Sequence, residues 1–355
     1  MKTLYRNLIV ILIIALIFPL AESTFAGNKD RSGQAGATEL LINPWARSSG
    51  WASANMSRVR GLEAIWGNVA GTAFTPKTQL IFSNTQWLKG TGTNIMSFGI
   101  SQRVGDAGAL SVSVMSMSFG EIDIRTVDNP DESQGTYSPS LMNISLAYSK
   151  AFSNSIYAGI VVKVISESIA DVSAVGVAID AGIQYVTGAK EQMSFGIALK
   201  NWGPKMTYSG DGLSLRTVIT GQETSFTVEQ RSMAFEMPAQ LNIGAAYDFL
   251  FPKDYRLTVA GNFTSNSFSQ DQFAFGLEFS LKDYVMLRGG YTYEKGMFDE
   301  ITSPENVNIN NGLSGGISVQ VPIKKEKGSY IGVDYTYRES LSFNGNHTIG
   351  IIFNF

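Results

Sequence analysis

Gln272-Phe273-Ala274-Phe275-Gly276-Leu277-Glu278-Phe279-Ser280-Leu281-Lys282 is the stretch that decides the fold. Phe273, Phe275, Leu277, Phe279 and Leu281 share one parity; Ala274, Gly276, Glu278, Ser280 and Lys282 share the other. Successive side chains of a strand point to opposite faces, so this is a ribbon with one oily side and one small, polar side. The residues that follow repeat the pattern, with Val285, Leu287, Gly289, Tyr291 and Tyr293 against Met286, Arg288, Gly290, Thr292 and Glu294. So do 329–338, 240–249, 255–264 and 174–185. Two environments give such alternation. A soluble sandwich hides its apolar face in strands of about five or six residues. Here the runs are about 10 to 15 residues long, the length that crosses a bilayer at a tilt. The opposite face, rich in Gly, Ala, Ser and Asn with charges of both signs, suits a crowded barrel interior better than a solvated surface. The expected fold is all-β, a transmembrane antiparallel β-barrel.

Working outward from that stretch, strands are expected near 78–87, 93–104, 107–119, 140–151, 154–168, 173–187, 191–202, 238–249, 255–267, 271–281, 284–293, 312–321, 328–338 and 345–355. These make fourteen. An even number places both ends of the barrel on the periplasmic side, with short turns there and longer loops outside. The connections fall into those two classes. Those after even-numbered strands are brief (Gly105-Asp106, Ser153, Gly188, 250–254, Lys282-Asp283, 322–327), while 120–139, 203–237 and 294–311 all follow odd-numbered strands. The final strand puts Ile349, Ile351, Phe353 and Phe355 on one face, and a C-terminal aromatic of that kind addresses a chain to the barrel assembly machinery. Unpaired backbone groups are costly in hydrocarbon, so the first strand must pair with the last.

Composition agrees. Charged residues are 16%, against a usual quarter, and the chain carries 36 glycines, 11% aromatics and no cysteine. A net charge of −3 argues against nucleic acid as a partner. At the start, Lys2 and Arg6 precede an apolar run from Leu8 to Leu20, and Thr24-Phe25-Ala26 offers a small-residue cleavage site before Gly27. This is the layout of a signal peptide, and the run is short for a spanning helix; an uncleaved anchor is the competing reading. The chain then divides into 1–26, signal peptide; 27–77, an N-terminal segment; and 78–355, the barrel.

Residues 27–77 do not alternate. Asn43-Pro44 signals a turn, and Val59 to Trp66 is expected to form a short helix. The segment is too apolar for a disordered tail. The expectation is a plug folded into the lumen; a periplasmic extension packed beneath the barrel is the alternative.

The run Leu40-Leu41-Ile42-Asn43-Pro44-Trp45-Ala46-Arg47-Ser48-Ser49-Gly50, followed by Leu62-Glu63-Ala64-Ile65-Trp66-Gly67-Asn68-Val69-Ala70-Gly71, resembles the N-terminal pattern of the PorV/PorQ family, barrels similar to the long-chain fatty-acid transporter FadL. Trp45 stands where an aspartate or glycine is usual, and Val69 replaces a proline. The resemblance rests on Asn43, Pro44, Trp45, Ala46, Arg47, Asn68, Ala70 and Gly71. It implies an outer-membrane component of the type IX secretion system of Bacteroidetes. Such a protein would bind the C-terminal signal domains of secreted cargo, accept them from the translocon and deliver them to the attachment complex at the cell surface. Outer-membrane lipid would surround it. The other function class is FadL-like transport of hydrophobic small molecules.

No catalytic, cofactor or metal site is expected. His347, the sole histidine, shares the parity of Phe353 and Phe355 and has no acidic neighbour in its run, so it reads as an interfacial residue rather than a general base. Asp128-Asn129-Pro130-Asp131-Glu132 reads as a solvated acidic loop before it reads as a calcium site. The charges on the inner parity are Asp180, Asp248, Arg256, Glu278, Arg288, Glu294, Asp334 and Arg338. Mutual pairing that ties plug to wall is favoured over an eyelet that selects solutes. Leu213 to Ile219 and Ser225 to Glu229 are expected to form a hairpin above the membrane, either a docking edge for a partner strand or a cap over the mouth.

Overall fold

The computed structural model describes residues 27–128, 130–218, 224–298, 310–324 and 328–355. Segment 1–26, expected to be a signal peptide, Asn129 of the acidic loop and Ile219 of the expected outer hairpin lie outside the described residues. The strands in chain order are β1 Thr78–Gln86, β2 Asn94–Val104, β3 Gly108–Ser118, β4 Ile122–Asp123, β5 Thr136–Tyr137, β6 Ser140–Ala151, β7 Ile156–Ile169, β8 Val172–Thr187, β9 Met193–Trp202, β10 Ser214–Val218, β11 Ser225–Glu229, β12 Gln240–Phe251, β13 Tyr255–Asn266, β14 Gln272–Leu281, β15 Val285–Glu294, β16 Leu313–Lys324, β17 Ser329–Arg338 and β18 Asn346–Asn354.

Fourteen of these close into one antiparallel barrel in which each strand pairs with its neighbours in the chain, and β1 pairs with β18 from Gln79 opposite Asn354 to Gln86 opposite His347. The ring therefore has no edge to leave backbone groups unpaired in hydrocarbon. The remaining four strands form two small hairpins, β4–β5 and β10–β11, on the long-loop side. By the rule that short turns are periplasmic, that side is extracellular. At the opposite end, Lys253-Asp254 and Lys282-Asp283 join their strands with positive φ at both residues (68° and 60°, 53° and 56°). That backbone suits a two-residue turn whose twist matches the strands.

Burial follows parity, inside out relative to a soluble protein. On β8, Val175, Val177, Ile183 and Tyr185 are exposed outward while Ala174, Ala178, Asp180 and Gln184 are buried inward. On β14, Phe275, Leu277 and Phe279 face out, and Ala274, Glu278 and Ser280 face in. This chain is an outer-membrane β-barrel: its exposed girdle is apolar and its interior holds the polar groups. On the last strand, Phe353 and Phe355 stay on the outward parity, opposite the buried Ile352 and Asn354.

Residues 35–76 run inside the ring and touch strands all round it. They fold as a chain of tight turns: 3-10 segments at Thr38–Leu41, Ala54–Ser57, Leu62–Ile65 and Val69–Phe74, and one four-residue α-helix, Ala46–Ser49. The helix expected over Val59 to Trp66 is reduced to the single turn Leu62–Ile65. Gly61, at φ 74° and ψ −156°, breaks any continuation from Val59, and its N–H is held instead by the carbonyl of Gly71. The long connection expected over 120–139 is not a plain loop: it contains the short β4–β5 hairpin.

Candidate functional site

The inner segment meets the wall through shape, hydrogen bonds and charge together. Trp45, Trp51 and Trp66 are 1%, 4% and 4% exposed, and Trp45, Leu62, Ile65, Trp66 and Val69 pack with wall residues Ile81, Ile95, Met115, Val161 and Ile352. The motif residues each take a local structural task. The Asn43 side chain accepts from the Trp45 N–H (3.0 Å), and the Asn43 carbonyl accepts from the Ser49 hydroxyl (2.9 Å), so Asn43-Pro44 forms the turn that starts the helix. The Ala46 carbonyl accepts from the Thr336 hydroxyl on β17. Arg47 donates to Asp334 on β17, with an ion-pair distance of 3.2 Å. Ala70 and Gly71 are fully enclosed; a Cβ on Gly71 would lie 2.1 Å from the Val59 carbonyl oxygen.

Asn68 makes a further polar contact with the wall. Its carboxamide donates to the carbonyl of Ile183 (3.0 Å) and its oxygen caps the following turn at the Ala70 N–H (3.2 Å). Room for it comes from two wall glycines. A Cβ on Gly182 would sit 2.2 Å from Asn68 Oδ1, and one on Gly196 3.0 Å from its Nδ2. Gly182→Val should therefore overpack this contact and cost about 1–3 kcal/mol of stability. In an Asn68→Ala background the same substitution should cost clearly less, because the two effects share one contact. Urea unfolding in lipid vesicles measures this, and equal costs in both backgrounds would remove Asn68 as the cause.

The inner charges pair as follows. Asp248 binds Arg58 of the inner segment, and Asp334 binds Arg47. Glu278 accepts from Arg288 at 3.0 Å, and Arg256 stands 3.7 Å from Glu278 and 3.4 Å from Asp283. Asp180 binds Lys163 at 2.5 Å. Glu294 accepts from Gln272 at 2.7 Å. Arg338, near the outer end of β17, has no ion pair among the described residues. Sequence reasoning missed Lys163, Glu167 and Lys200. All three are buried and inward-facing, and their parity alone would have found them. The ammonium groups of Lys163 and Lys200 lie 5.0 Å and 5.6 Å from the ring centre of Trp66, a cation–π contact from two strands onto one inner-segment side chain.

At the outer end, the first described residues reach the extracellular loops. Asn28 N donates to the Asn266 carbonyl at 3.4 Å, Ala35 forms a parallel bridge with Glu236, and Arg31 pairs with Glu236 at 3.0 Å while stacking over Phe268. Hydrogen bonds from Arg31 and Lys205 hold the Glu236 carboxyl below its usual range. Tyr208 donates to the buried Glu167, and burial first, then that carboxylate, pushes its hydroxyl pKa up. The β10–β11 hairpin stands beyond this layer with Leu215, Val218, Phe226 and Val228 exposed. His347 bonds Tyr335 at 2.8 Å on the outward face. In the acidic loop, Asp128, Asp131 and Glu132 are exposed, and the Pro130 carbonyl accepts from Arg125 at 3.3 Å.

Comparison with known proteins places these features. A family model described as type IX secretion system membrane protein PorP/SprF matches residues 130–353. That agrees with the PorV/PorQ resemblance at the level of type IX secretion and differs from it in the family named. Among solved structures, the toluene transporter TbuX of Ralstonia pickettii is similar at 13% identity and a TM-score of 0.51, covering 86% of this chain and 97% of its own. The toluene transporter TodX of Pseudomonas putida has 12% identity and a TM-score of 0.48, covering 94% and 97%. A FadL homologue of Pseudomonas aeruginosa has 12% identity and a TM-score of 0.48, covering 87% and 96%. At these identities the likeness is one of fold. No curated protein matches the sequence.

Proposed function

The chain belongs to the PorP/SprF family of type IX secretion system membrane proteins, and from that premise we propose that it is a non-catalytic, plugged component of the secretion machinery that holds cargo at the outer face. In this reading the outer loops bind the C-terminal signal domain of a secreted protein, received from the translocon, and pass it to the attachment complex. The inner segment keeps the pore shut meanwhile. The observation that carries the reading is the β10–β11 hairpin. It is a two-stranded sheet with both outer edges unpaired among the described residues and with Leu215, Val218, Phe226 and Val228 exposed above the mouth. An unpaired edge flanked by apolar side chains is what a β-sandwich cargo domain needs for strand addition.

Transport of hydrophobic small molecules is the competing reading, and the likeness to toluene transporters is its support. The concavity at the periplasmic end of this barrel suits it poorly, because Arg47, Arg58, Arg60, Arg256 and Lys282 line it. Hydrocarbon sites are lined mainly by apolar groups.

Purification of the native protein in mild detergent tests the proposal. Signal-domain proteins should co-purify, and removal of residues 214–229 should abolish their recovery while the barrel still migrates as a folded species. Recovery unchanged by that deletion would move the binding site elsewhere. A co-purified apolar small molecule without cargo would favour transport.

A further inference from the structure

At the short-turn end, the inner segment and the wall leave a concavity of about 550 Å³. Its inner-segment side presents Arg47, Arg58 and Arg60; its wall side presents Arg256 and Lys282. Five cationic groups thus face three carboxyls, Glu63, Glu278 and Asp283. The balance is more positive than that count suggests. Glu278 is engaged by Arg288, and Glu63 is buried and accepts from Ser48 at 2.5 Å. The carboxylates that pair with Arg47, Arg58 and Arg60 are Asp334, Asp248 and Glu191, none of which lines the concavity. Arg58 and Arg60 are therefore anchored from outside the concavity and leave donors for a ligand, whereas Arg47 also donates to the side-chain oxygen of Gln320 in the lining, at 2.6 and 3.0 Å. Arg60 stands 3.7 Å from Glu191 and lies over the Phe74 ring at 4.1 Å, which leaves its hydrogen-bond donors free, and the Lys282 ammonium has no hydrogen bond or ion pair among the described residues.

Trp51, Tyr284 and Tyr330 add aromatic surface to a lining that also holds the polar Asn55, Thr258 and Gln320. The site is walled from the bilayer by β13 to β17 and opens where the turns Lys253-Asp254 and Lys282-Asp283 lie. A lipid headgroup would have to leave its leaflet to enter. A lone inorganic anion would use neither the volume nor the aromatic floor. A peptide with several carboxylates would use both: its charges would meet forked guanidiniums and its methylenes would lie on the rings. The geometry points to a periplasmic docking site for an acidic peptide segment, distinct from the outer-face cargo surface and independent of that reading.

The test uses the intact barrel in detergent and a fluorescently labelled hexaglutamate peptide, followed by anisotropy. Saturable binding is expected, weakened at least tenfold between low and high salt, as charge pairing at an open site requires. The pair Arg60→Gln and Lys282→Asn should weaken it at least tenfold as well. Asparagine tolerates the positive φ of 53° at Lys282, and both side chains lie where loss leaves the buried pairs intact. Lys282→Asn alone, at an exposed turn, provides a variant that keeps the fold if the double change does not, and it should weaken binding severalfold. Absence of saturable binding, binding indifferent to these substitutions, equal binding of a hexalysine peptide, or displacement by inorganic phosphate at equal charge would each overturn the proposal. So would stronger capture by anionic lipid vesicles than by the peptide.

Discussion

Deleting residues 30–74 should turn a closed barrel into an open one, raising single-channel conductance in planar bilayers roughly tenfold or more above the intact chain, since large barrels without internal filling enclose water. The expectation follows from what fills the ring. Trp45, Trp51 and Trp66, with Leu40, Leu62 and Ile65, are almost wholly enclosed, and the turns that carry them touch wall strands on all sides. The wall itself is closed by its own ladder, from β1–β18 round to β2, and borrows no backbone pairing from the segment. The deleted chain should therefore still form a barrel, which its heat-dependent mobility in detergent gels would verify. A milder version unhooks the segment without removing it. Arg47→Ala and Arg58→Ala together cut both ion pairs to Asp334 and Asp248 and should give brief, flickering openings. A folded deletion variant that conducts no better than the parent would mean that the inner segment is not what closes the pore.

The barrel was legible because its signal is repeated and strict. Parity along Phe273 to Leu281 or Ile331 to Tyr337 needs no partner to be read, and the sorting of short and long connections fixes which end is which. The inner segment has no period to read. Its turns are set by single residues such as Gly61 and by tertiary contacts that only the closed ring supplies; Gly61 was the local sign against the helix expected at Val59 to Trp66, but the roughly 1 kcal/mol a glycine costs a helix does not by itself forbid one. The glycines of the inner parity, Gly182, Gly196, Gly276 and Gly290, showed that something approaches the wall. They could not show that Asn68 meets the first two and Trp51 the others. The outer hairpin β10–β11 was legible from two β-rich runs, whereas β4–β5, two residues a side, falls below the length at which a pattern exists. Parity marks the inner charges, including Lys163, Glu167 and Lys200, which were missed, but it does not give the partners of Asp248 and Asp334, since Arg58 and Arg47 lie on the segment whose path the sequence does not reveal.

Lys163 gives the second large effect. It is fully buried, with its ammonium 2.5 Å from Asp180 and 2.8 Å from the Asn201 side-chain oxygen. Asp180 does more than neutralise it. Between Ile179 and Ala181 the β8–β9 register shifts, so that Lys200 and Asn201 stand opposite the one residue Asp180. The bulge leaves the Asn201 N–H without a ladder partner, and the Asp180 carboxylate accepts it at 2.7 Å. Asn201 takes φ 58° there, which turns its side chain to the Leu40 carbonyl of the inner segment and the Pro238 carbonyl of the outer loop. One carboxylate thus serves a buried charge, a bulge and a junction of three segments. Asp180→Ala removes all of that and leaves an uncompensated ammonium, at a cost of about 3–5 kcal/mol. Asp180→Asn should cost less, because it keeps an acceptor for the bulge while losing the charge. The double change Lys163→Met with Asp180→Asn should recover much of the loss, since no buried charge then remains unpaired. Tryptophan fluorescence during urea unfolding in vesicles reads all three. If Asp180→Ala alone proved as stable as the parent within about 0.5 kcal/mol, the range of a neutral surface change, then water must reach Lys163. The interior would then be wetter than its close packing implies.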